Sequence, residues 1–142
     1  MSPSDSISLP ELKLFPAENF RKESIKLYLK NGFSFDKLNQ VVAANYVMSA
    51  NTTMAFVCIQ KNPEEAQSLA SDYYDFLIKM GGKKVESADT PVPGLKIVDL
   101  LGDYDMVFSD KGVLAGIHQA KNLEVGKSVA DKLYQKINQS SK

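Results

Sequence analysis

Cys58 and His118 are the residues of this chain whose types combine most directly into chemistry. A cysteine attacks as its thiolate, and a neighbouring histidine is the usual base that takes the thiol proton. They are the single cysteine and the single histidine in 142 residues. They also hold equivalent positions in an internal repeat, so strands paired about the centre of that repeat would set them face to face. The competing account makes Cys58 a core thiol, because cysteine is among the most buried residue types. Asp99, Asp103, Asp105 and Asp110 form a second cluster. Carboxylates this close do acid–base work or hold calcium, but calcium loops need tighter spacing and more oxygen ligands. Asp103 and Asp110 fit better as turn formers that accept backbone hydrogen bonds. No metal and no cofactor is expected.

The elements that must position these residues come from a pattern written twice. Lys61-Asn62-Pro63-Glu64 returns sixty positions later as Lys121-Asn122-Leu123-Glu124. The same offset matches Ala55 with Ala115, Ser68 with Ser128, Ala70 with Ala130 and Tyr74 with Tyr134. Self-similarity of this kind marks a supersecondary unit used twice. Thr53–Gln60 reads as a buried strand, and Asn62 as the cap of a helix with Pro63 in its first position. Ala66, Leu69, Ala70, Tyr73, Phe76, Leu77 and Met80 recur at spacings of three and four, giving one apolar stripe over 63–80. Gly81-Gly82 stops it. The second copy predicts a strand over 113–119 and a helix over 123–138. An anion site at the two helix starts is the weaker reading, since Asn62 and Asn122 already cap and Glu64 and Glu124 repel an anion.

Elsewhere, Val41–Met48 reads as a strand, as do Leu95–Leu101 and Tyr104–Ser109, with Asp110-Lys111-Gly112 as a hairpin turn. A short strand near 83–87 is marginal. Ile25, Leu27 and Leu29 alternate with polar partners, which favours strand over helix, and Asn31-Gly32 would turn it back through Phe33 and Phe35. Residues 1–8 read as a disordered lead, 9–138 as a single domain with repeat units at about 41–80 and 104–138, and 139–142 as a tail. The expectation is therefore an α+β fold: a mainly antiparallel sheet of about six strands with two helices on one face, from a duplicated hairpin–helix unit.

With the units in view, the chain resembles a bacterial family known only as domain of unknown function 6599. The resemblance rests on Phe15-Pro16-Ala17-Glu18-Asn19, Ser24 and Tyr28, then Asn45-Tyr46, Ala55-Phe56-Val57, Asn62-Pro63-Glu64-Glu65-Ala66 and Gly112-Val113. It spans roughly residues 14–137. It implies an exported or envelope-associated domain, often beside a related module, and no particular activity.

Composition excludes several function classes. Seventeen basic and seventeen acidic residues cancel, so no net field draws the chain to nucleic acid. The apolar runs are strand length, well short of the ~20 residues of a membrane span. The first six residues carry neither the basic nor the apolar segment of a signal peptide. Strand alternation then puts Ala55, Val57, Ile59, Ala115 and Ile117 under the helices, and Met54, Phe56, Cys58, Leu114 and His118 on the other face. With both helices on one side, that second face lies open, and an apolar patch of that size needs a cover: the N-terminal segment 9–35, a second copy of the chain or a ligand. The expected function is a non-enzymatic binding or structural module that uses this face (Met54, Phe56, Leu114, His118) or a sheet edge. The partner would be a second copy in a homodimer, a neighbouring module or a small apolar ligand. The alternative is a thiol-dependent or hydrolytic enzyme centred on Cys58 and His118.

Overall fold

Period-two alternation and tight turns build one seven-stranded antiparallel sheet, which two helices complete as an α+β fold. The computed structural model describes residues 20–28, 41–48, 51–85, 92 and 94–140. The strands are β1 (Phe20–Tyr28), β2 (Val41–Met48), β3 (Asn51–Ile59), β4 (Lys83–Val85), β5 (Lys96–Leu100), β6 (Asp103–Asp110) and β7 (Val113–Ala120). Helix α1 (Pro63–Lys79) follows β3, and α2 (Leu123–Ser140) follows β7. In space the strands run β1-β2-β3-β7-β6-β5-β4. The sheet has one strand more than expected because Lys83–Val85, the marginal segment, pairs with β5 as an edge. Helix α2 runs two residues into the expected tail. The lead and the Asn31-Gly32 turn with Phe33 and Phe35 lie outside the described residues.

Both helices start as their sequences dictate. The Asn62 side chain accepts the Glu65 N–H at 2.8 Å, and Asn122 accepts the Val125 N–H at 3.0 Å. Each satisfies a donor that the first helical turn leaves unpaired. At the far end of α1, Gly81 takes a φ of 105°, and the Gly82 N–H returns to the Leu77 carbonyl at 3.0 Å. This left-handed stop is the usual glycine ending of a helix.

The helices do not share a face. Leu69, Ala70, Tyr73 and Leu77 of α1 pack with Phe56, Cys58, Val98, Val107 and Leu114. Val129, Ala130, Leu133 and Ile137 of α2 pack with Ala55, Val57, Met106, Phe108, Ala115 and Ile117. The expectation of two helices on one face is therefore corrected. The physical reason lies in the strands themselves: both faces of β3 and β7 are apolar, and one helix on each removes both from water. A fully buried leucine or phenylalanine contributes about 1.5–3 kcal/mol, so leaving one face bare would forfeit several such terms.

A β-bulge in β7 sends α2 to the opposite side. β6 and β7 pair regularly from Asp110↔Val113 to Met106↔Ile117, then slip to Tyr104↔Ala120. His118 and Gln119 together oppose Asp105, and Gln119 takes a φ of 55°. An extra residue inverts the alternation beyond it. Unbulged, Ala120 would share the face of Leu114 and Gly116, but it packs in the α2 cluster instead. The chain thus leaves β7 on the side opposite to its exit from β3. A proper two-fold axis between β3 and β7 would stand normal to the sheet and keep both helices on one face. The repeat in sequence is consequently not one rotation in space.

Candidate functional site

Pairing of β3 with β7 decides the Cys58–His118 question. Phe56 stands opposite Gly116, its own repeat equivalent, so the pairing is centred on the repeat as expected. In an antiparallel pair, however, a step forward on one strand meets a step back on the other. Cys58 therefore faces Leu114, and His118 faces Met54. Cys58 and His118 lie four residues apart along the strands, roughly 13 Å. No direct proton transfer spans that distance. The Cys58 sulfur is buried and accepts from the Gln60 amide Nε2 at 3.1 Å. The thiol–imidazole pair is corrected on this ground.

The face expected to lie open is covered as well. Phe56 and Leu114 are fully buried in the α1 cluster, and Met54 packs partly buried against it. The Phe56 ring stands edge-on to Tyr73 of α1, with centroids 5.9 Å apart. On β7 the small partner Gly116 makes room, since a Cβ there would meet the Phe56 ring at 2.8 Å and the Met106 carbonyl oxygen at 2.0 Å. His118 is the polar end of this face, 19 % exposed.

His118 belongs to a network that spacing alone does not reveal. Its Nδ1 lies 3.0 Å from Oδ2 of Asp105, a residue with no exposed surface. The other carboxyl oxygen of Asp105 accepts the Gln119 backbone N–H at 3.0 Å. The Tyr73 hydroxyl approaches Oδ2 at 3.4 Å from α1. Burial, followed by the charge of Asp105 and the hydrogen bond to it, pushes the Tyr73 phenol well above its usual range. The phenol therefore remains a donor. Asp105 thus ties together the bulge, the neighbouring imidazole and the helix over them. Each contact fills acceptor capacity that would otherwise be costly to bury. A carboxyl group on Nδ1 also fixes the imidazole orientation and makes the other ring nitrogen the basic one.

The remaining aspartates do separate jobs. Asp99 accepts the Gly102 N–H at 3.0 Å across the β5–β6 turn, and Asp103 pairs with Lys121 at 3.0 Å. Asp110 accepts from the Asn138 amide at 3.3 Å. Among the described residues, no three His, Cys, Asp or Glu side chains gather where a metal ion would sit.

A second feature stands at the β4 edge. β5 and β6 are joined by Leu101 and Gly102, with φ of 56° and 93°, and β6 and β7 by Lys111 and Gly112, with φ of 50° and 86°. Two-residue hairpins of this kind favour Asn-Gly, because both central residues take positive φ. Leu101 is 93 % exposed, and Met80, which follows α1, is 58 % exposed. The turn and the end of α1 adjoin one another: Gly81, Lys83, Asp99, Leu101 and Gly102 line one shallow cleft. An almost fully exposed leucine with positive φ breaks both backbone preference and apolar burial. The sequence marked Leu101 only as the last residue of a strand; the tight Leu-Gly turn was the available signal. No family model, curated protein or solved structure matches this chain.

Proposed function

We propose that the chain is a small non-enzymatic binding or structural module that meets its partner at the β5–β6 hairpin tip, next to the start of β4. Leu101 carries this reading. Its left-handed backbone costs about 1–2 kcal/mol for a residue with a Cβ, and its side chain stays almost wholly exposed. A local rule broken without internal compensation points to contact outside the fold. A second copy or a neighbouring module loses Phe56 and Leu114 as a docking face, because α1 covers them. Membership in the domain of unknown function 6599 family is part of the same proposal and rests on the residues quoted above. No described helix is long and apolar enough to cross a membrane.

Thermal unfolding and retention on a hydrophobic matrix, measured for the wild type and Leu101→Asn, test the reading. Asparagine tolerates positive φ, so the variant should unfold at the same temperature or slightly higher while retention falls. A clear loss of stability would make Leu101 a folding residue and remove the proposal's support.

One observation favours a second reading, acid–base chemistry at His118. The 3.0 Å contact with buried Asp105 orients the imidazole as a general base requires. In this reading His118 moves the proton and Asp105 positions it, with Cys58 taking no part.

A further inference from the structure

We draw no further inference here: the strongest candidate, the cleft that Tyr74 of α1, Lys84 of β4 and Lys96 of β5 line, carries nothing, because the Lys96 ammonium already lies over the Tyr74 ring and nothing in the structure shows what occupies the cleft.

Discussion

The units β3–α1 and β7–α2 share a strand, a connection of two or three residues and an Asn-capped helix, yet their helices cover opposite faces of the sheet. At the equivalent positions Ile59 and Gln119, β3 ends as regular strand, whereas β7 contains a bulge. The comparison separates two things that a repeat usually fixes together. Cap chemistry determines where a helix starts, and the parity of the preceding strand determines the side on which it lands. One extra residue in the ladder outweighs the repeat.

Removing the pin of that bulge should have the largest effect. Asp105→Ala removes a fully buried carboxylate that accepts from the Gln119 N–H and the Tyr73 hydroxyl and lies against the His118 imidazole. The expected cost is about 2–4 kcal/mol, from the loss of several hydrogen bonds to one buried carboxylate, measured by denaturant unfolding. A loss below about 1 kcal/mol, the worth of one ordinary hydrogen bond, would mean the bulge holds without Asp105.

The bulge residue itself sharpens the contrast. Gln119→Val should cost about 1–2 kcal/mol, because a β-branched side chain suffers in the left-handed region. Gln119→Gly should be nearly neutral. At the equivalent Ile59, where the strand is regular, Ile59→Val should cost little and Ile59→Gly more, reversing the order. The same order at both sites in thermal unfolding would break the comparison.

The smallest effects should be alike in the two units. Asn62→Ala and Asn122→Ala should each cost about 1 kcal/mol, since each uncovers one helix N-terminal donor. Costs that differ several-fold in denaturant titration would show that the shared junction sequence is not energetically shared.

These contrasts also mark what the sequence made legible. Asn62-Pro63, the apolar stripe from Ala66 to Leu77, and Gly81 specify α1 through local chemistry, and local chemistry is readable along a chain. Both apolar faces of β3 and β7 were legible too, as was the need to cover Phe56 and Leu114. The identity of the cover was not, because it depends on a parity change at Gln119. That residue carries no bulge signature; its glycine-like φ is imposed by Asp105, fourteen positions away. The Asp105–His118 contact was hidden for the same reason. Asp105 read as one of four aspartates, and only the register of β6 against β7 singles it out. Leu101 was legible as a residue and not as a tip, since its exposure follows from β5 and β6 pairing right up to the turn.

The opposed helices are the centre of the account, and methyl NOE spectroscopy on the intact chain tests them most directly. Leu133 and Val129 methyls should show contacts to Val57 and Ile117, and Leu69 methyls contacts to Leu114 and the Phe56 ring. Ala120 should report to Gly126, whose added Cβ would meet the Ala120 methyl at 3.1 Å. Contacts from Leu133 to Leu114 or Phe56, on the face that α1 occupies here, would contradict it.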